Sequence, residues 1–280
     1  GADHHGYIPR VKGALAALNA SGNNPAMEAV ALERVDRALA LKPGWERAAL
    51  LKSELLAKRS NEEAVAYLTA FLKSQPDSRP VRGALAQLYV EQKRLPEARA
   101  IFEALAAEEP DVREYAMGVA ILSFQMKDWE SAEAQFTKLA AKGDDGTAQL
   151  YLAQIAEETK RYDVAIARYK AVADGDRAWL AKLRVASLLG KLNRVDEGRR
   201  WLADLPAVTI DQRIQVRQAE ASLLREAGDL PGAYAVLEQG LAEFPDAPDL
   251  IYDSAMLAEK LDKRSEEHTS ELQSRHNISY

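Results

Sequence analysis

The residue types in this chain that could do chemistry are its carboxylate doublets and its few histidines. Glu62-Glu63, Glu108-Glu109, Asp144-Asp145 and Glu157-Glu158 place acids side by side, as general acid and base catalysis would ask. Neighbours on a helix point about 100° apart, however, so such doublets do not converge on one bond. They read as solvated helix faces and turns. Asp144-Asp145 sits in the glycine-flanked run Lys142-Gly143-Asp144-Asp145-Gly146, without the alternating carboxylates of a calcium loop. The histidines are His4, His5, His268 and His276, all near the ends, so no His-centred triad and no HExxH zinc site can be built in the body. Asp3-His4-His5 reads as an unordered terminus rather than a metal site. There is no cysteine, hence no disulfide and no thiolate ligand. No glycine-rich phosphate loop is present. The expectation is a non-enzyme without cofactor or metal.

The elements that would position any site are helices. Pro80 to Pro110 contains the pattern most clearly. Leu85, Ala86 and Tyr89 share one helical face, Ala98, Phe102 and Leu105 share another, and Arg94-Leu95-Pro96-Glu97 is the turn between them. Pro96 falls in a first turn, where a helix tolerates it, and Pro110 stops the second helix. So short a pair must bury its remaining apolar surface against neighbours.

The sequence supplies them. Small residues recur at Ala31, Ala64, Ala98, Ala132, Ala165, Gly198 and Ala233, at steps of 33, 34, 34, 33, 33 and 35. A larger apolar residue follows each at the same offset: Val35, Leu68, Phe102, Phe136, Tyr169, Leu202 and Leu237. A second small column precedes them at Ala86, Ala120, Ala153, Ala186 and Ala221, and prolines at 43, 76, 110 and 245 close helices. Three columns in one register define a repeat of about 34 residues.

This repeat resembles the tetratricopeptide repeat (TPR) family over nearly all of residues 7–263. The resemblance implies an all-α, right-handed solenoid of antiparallel helix pairs, about seven of them plus a truncated one beginning at Pro248. The family's early tryptophan and its neighbouring glycine are missing from most units, and Asp174 to Ile210 lacks the closing proline. Gly1 to Gly6 reads as a disordered segment and Tyr7 to Asn19 as the first helix. Asn24-Pro25 suggests a helix cap followed by a first-turn proline, and Asn61 a further cap.

In TPR arrays the first helix of each pair lines a concave face that holds an extended peptide or a partner helix. Carried over by register, that geometry turns inward Gln87 and Glu91; Met117, Ile121 and Phe124; Leu150, Gln154 and Glu158; and Gln218, Ser222 and Arg225. Met117, Ile121 and Phe124 form a Met and aromatic stripe that a binding groove would use, or that packing between repeats would bury. The clamp that some TPR domains close on a carboxyl terminus needs inward Lys, Arg and Asn. Here Arg225 stands alone at those positions.

The composition agrees with a surface for protein partners. A net charge of −6 without a basic run argues against nucleic acid, and no apolar run is long enough for a membrane span. Sequons at Asn19 and Asn277 matter only in a secretory eukaryotic setting. The run Asp246 to Lys263, DAPDLIYDSAMLAEKLDK, is similar to bacterial TPR lipoproteins of the cell envelope. One type in that group is an adaptor for a periplasmic carboxyl-terminal processing protease. The resemblance implies a periplasmic scaffold, with a lipid anchor upstream of Gly1 on the outer membrane; a cytoplasmic location is the alternative. The chain begins without Met or a signal-like segment and so reads as a fragment or a processed form. A second reading makes it the structural part of a larger envelope enzyme. A third is self-association through Ile251, Leu257 and Leu261. Residues 264–280, beginning RSEEHTSELQS, carry no apolar stripe and resemble a translated sequencing adapter, a non-native or disordered tail; a polar capping tail is the alternative.

Overall fold

The computed structural model describes residues 24–143, 146–173 and 175–278, and among these every regular element is an α-helix. The readings for Gly1 to Gly6, Tyr7 to Asn19 and Asp144-Asp145 lie outside the described residues. In chain order the helices are α1 (Pro25–Leu41), α2 (Glu46–Ala57), α3 (Asn61–Ser74), α4 (Arg79–Glu91), α5 (Leu95–Glu108), α6 (Arg113–Gln125) and α7 (Trp129–Ala141). They continue as α8 (Thr147–Glu158), α9 (Tyr162–Lys170), α10 (Asp176–Lys191), α11 (Val195–Ala203), α12 (Ile210–Glu226), α13 (Leu230–Glu243) and α14 (Pro248–Asn277). The chain divides into two compact units, Gly1–Gln135 and Phe136–Tyr280.

In the first unit consecutive helices pack in antiparallel pairs, and α2 also packs directly on α4. The small column explains why: Ala31, Ala64 and Ala98 are fully buried, so backbones approach closely there. Val35 and Leu68 of the large column are buried as well. Phe102 is only half-buried, and its ring lies over Gly118, where a Cβ would stand 3.0 Å from Cγ of the ring. Asn24 caps α1, its side chain accepting from the backbone N–H of Ala26 at 3.1 Å, with Pro25 in the first turn. The cap of α3 is Ser60 rather than Asn61, since Ser60 Oγ accepts from the Glu63 N–H. Lys52 ties three helices together, reaching Asp36 Oδ1 at 2.8 Å and lying 4.4 Å from the centre of the Tyr67 ring. Burial, with the Asp36 charge second, pushes the Tyr67 hydroxyl up to about 12.

In the second unit α8 packs on α9, α9 on α10, and α10 directly on α12. Ala153, Ala165, Ala186, Leu188, Leu189 and Leu223 form its main core, and a further cluster joins α12, α13 and α14 through Leu224, Val236, Leu237 and Leu250. Phe136 is fully buried and stacks on Tyr151 with ring centres 4.5 Å apart. The tract without a closing proline is irregular. A Cβ on Gly190 would overlap the carbonyl oxygen of Leu223, and one on Gly198 would lie 2.6 Å from Leu223 Cδ1. Two glycines thus let α12 press unusually close to α10 and α11. The second helices here are short, nine residues in α9 and α11 against fourteen in α13.

One backbone feature recurs in both units. Lys93, Lys127, Lys160, Asn193 and Gly228 all have left-handed φ, between 56° and 86°. Each ends the first helix of a pair, and the next residue's N–H donates to a carbonyl five residues back. Arg94 reaches Tyr89, Asp128 reaches Ser123, Arg161 reaches Ala156, Arg194 reaches Leu189 and Asp229 reaches Leu224, at 2.7–2.9 Å. This is the Schellman arrangement, which satisfies the orphan carbonyls of a helix end within the turn itself.

Where the sequence suggests a disordered or non-native tail from Arg264, the structure continues α14 without a break to Asn277. Residues 250–277 contain neither Gly nor Pro, so nothing local stops the helix. No side chain from Asp262 to Asn277 is buried, so no packing holds it.

Candidate functional site

The side-by-side packing of α2 with α4, and of α10 with α12 and α12 with α14, gives each unit a face made of first helices. Five of the eleven sequence candidates, Gln87, Glu91, Gln218, Ser222 and Arg225, lie on these helices, and the other six lie on α6 and α8. Gln87 and Glu91 of α4 are exposed and line a groove of about 420 Å³ whose other wall is Ser53, Glu54, Ala57 and Lys58 of the α2 end. Lys58 is engaged by Glu28 at 3.6 Å. Glu54 and Glu91 make no ion pair among the described residues. The groove therefore presents two free carboxylates beside Leu88 and the Gln87 amide, a lining suited to a polar or basic segment with small apolar side chains.

Met117, Ile121 and Phe124 on α6 are each half-buried. Phe124 meets Trp129 edge to face, ring centres 5.3 Å apart. The stripe is thus neither free surface nor closed core. Of the three, Phe124 has a defined ring partner, and all three keep part of their surface in solvent.

In the second unit Leu150 is half-buried against the core cluster around Ala153, whereas Gln154 and Glu158 are exposed. Glu157, read from the sequence as one of a solvated pair, is mostly buried and accepts from Arg184 Nε at 2.6 Å. That hydrogen bond, strengthened by the glutamate charge, holds the Arg184 guanidinium above its ordinary range. Glu108 and Glu109 are likewise consumed in pairs with Arg82 and Arg79, at 2.7 and 2.9 Å. Each of these three acids is held by an arginine of another helix. Among the described residues no group of three or more His, Cys, Asp or Glu side chains is placed to hold a metal, and no helix is long and apolar enough to cross a membrane.

Gln218, Ser222 and Arg225 line a crevice shared with Asp253, Met256 and Lys260 of α14. Gln218 Nε2 donates to Asp253 Oδ2 at 3.1 Å, which fixes one side of the crevice. Register alone left Arg225 as a lone cation; the structure adds Lys260. Its signal in the sequence was its place on α14, one first helix further on.

Two tetratricopeptide repeat family models match the chain, one over residues 55–122 and one over residues 120–179. Residues 55–179 are tetratricopeptide repeats. Its similarity extends to a curated TPR repeat-containing protein of Pseudomonas aeruginosa, 33% identical over 113 residues, which are 40% of this chain and 19% of that relative. The matched part is therefore about a fifth of the relative's length. Among solved structures, a tetratricopeptide repeat protein from Parabacteroides merdae aligns with a TM-score of 0.54 at 14% identity, over 90% of this chain and 98% of that one. A chain in the structure of Naa15/Naa10 bound to HypK-THB aligns with a TM-score of 0.51 at 15% identity, over 90% of this chain and 39% of its own length. At these identities the structural likeness establishes the TPR fold alone.

Proposed function

We propose that this TPR protein is a non-catalytic scaffold that binds a peptide or protein segment along its first-helix faces. The observation that carries the reading is the half-buried stripe Met117, Ile121 and Phe124, with Phe124 set against Trp129 and all three partly in solvent. The α2–α4 groove, with its free Glu54 and Glu91, would favour a segment with a basic side chain. Affinity would reside in the apolar anchors, and the polar rim would set specificity.

The finer reading places the protein in the periplasm of a bacterium as an adaptor that presents substrates to a carboxyl-terminal processing protease. It is supported by the similarity of Asp246 to Lys263 to envelope TPR lipoproteins and by a TPR-containing relative in a bacterium. The test compares the wild-type chain with a Met117→Ser/Ile121→Ser/Phe124→Ser variant. Both are first checked for equal helical circular dichroism, then used to pull down envelope proteins and to stimulate the purified protease from the same organism. Loss of binding and of stimulation with fold intact supports the reading. A folded variant that retains every partner sinks it.

A further inference from the structure

The other side of α12 carries a cleft that the first-helix reading leaves unused. Arg213, Val216, Arg217 and Glu220 stand at helical spacings of three and four, so they share one face of α12, roughly opposite Gln218, Ser222 and Arg225. In a regular pair the preceding second helix would cover that face. Here α11 stops at Ala203 after nine residues, about 7 Å shorter than a fourteen-residue second helix such as α13. A non-helical connector takes its place. The result is a cleft of about 560 Å³ between α11, the connector and the end of α13, with Leu202 and Leu205 among its apolar lining.

The end of the connector is tied to the first turn of α12. Thr209 Oγ1 accepts from the Gln212 N–H at 3.0 Å, while Gln212 Oε1 accepts from the N–H groups of Val208 and Thr209 at 2.8 and 3.1 Å. This capping box keeps Val208 and Ile210 out in water, 74% and 60% exposed. The charges that line the cleft are unequal. Arg199 and Arg217 share Glu220 and Glu243 at 3.6–3.8 Å, whereas Arg213 makes no ion pair among the described residues. One cation in excess, on a protein of net charge −6, marks the chemistry of the occupant.

We propose that this cleft is a second docking site, for a partner segment that presents a carboxylate side chain next to an aliphatic one. The carboxylate pairs with Arg213, and the aliphatic side chain enters between Leu205 and Val216.

The test uses fluorescein-labelled octapeptide pools in which Asp or Glu neighbours Leu or Val, and matched pools with Asn or Gln instead. Fluorescence polarisation is read against the wild-type chain, Arg213→Gln, Ala203→Trp to fill the cleft, and Glu91→Gln in the α2–α4 groove. Saturable binding of the acidic pool is expected, with the amide pool and the Arg213→Gln protein each about tenfold weaker, as loss of one charge-assisted hydrogen bond implies. Ala203→Trp is expected to abolish it and Glu91→Gln to leave it unchanged. Because the chain has no cysteine, a single Ala203→Cys substitution gives a thiol whose modification bound acidic peptide should slow. Equal binding of both pools, no saturation at millimolar peptide, indifference to Arg213→Gln, or sensitivity to Glu91→Gln instead would each overturn the proposal.

Discussion

Gly190 on α10 lies directly against the backbone carbonyl of Leu223 on α12, where a Cβ would occupy the space of the oxygen. Backbone cannot move aside as a flexible side-chain tip can. Gly190→Ala is therefore expected to force the two helices apart and to cost about 1–3 kcal/mol, the range of overpacked sites. Gly198→Ala, which meets the methyl groups of Leu223 instead, should cost less, because a leucine rotamer can give way. Chemical denaturation of the two variants, with Gly83→Ala as a control at an open position, orders the three. If Gly190→Ala matches the control, the close approach is wrong.

The left-handed lysines make the opposite prediction. Lys93, Lys127 and Lys160 each hold a conformation that costs a residue with a Cβ roughly 1–2 kcal/mol. Glycine at the same place, as at Gly228, relieves it. Each Lys→Gly change should stabilise by about 0.5–1 kcal/mol after the entropy of the glycine is deducted. A rise in melting temperature that accumulates over the three sites is the outcome to look for; a fall at any of them contradicts the turn geometry.

Asp128 supplies a pH test. Arg99 donates to Asp128 Oδ2 at 2.6 Å, and this hydrogen bond, helped by Ser131, holds the carboxyl below the usual aspartate range. A carboxyl with a depressed folded pKa stabilises fully above its unfolded value, near 4. That contribution disappears as pH falls through the depressed value. Asp128→Asn should melt lower than wild type at pH 7, and the gap should close on acidification below pH ~4. A gap that persists unchanged at pH 2 would assign the loss to packing instead.

Two phenylalanines separate core from surface. Phe136 is fully buried on Tyr151, and Phe136→Ala should cost about 3–5 kcal/mol. Phe124 is half-buried, so Phe124→Ala should cost well under half as much while reducing partner capture. Comparable losses of stability would return Phe124 to the core and remove it from the site.

Much of this architecture was legible before any coordinates. The columns led by Ala31 and Val35 repeat because close helix packing demands a small residue and then a filler at fixed offsets, and their members are buried as expected apart from Phe102. The turns were less legible. Lysine carries no preference for the left-handed region, so Lys93, Lys127 and Lys160 gave no signal; Asn193 and Gly228 at the same register are of types that favour it. The grooves were hidden for a different reason. Gln87 and Glu91, like Gln218 and Arg225, could be turned inward by register, but Lys58 joins the first pair's groove and Lys260 the second pair's crevice from another helix, which spacing within one helix does not reveal. Glu157 was misread as solvated because its partner Arg184 lies 27 residues away.

The five Schellman turns also bear on how such a chain changes over generations. Each closes its own hydrogen bonds within six residues and asks nothing of the helices beyond its pair. An in-frame duplication or deletion of about 34 codons therefore leaves no peptide group stranded at the seam, provided that the flanking small and large columns stay in step. Point substitutions refine the surface, but recombination between like units can set how many surfaces there are. Array length, in a protein built this way, is itself a heritable trait.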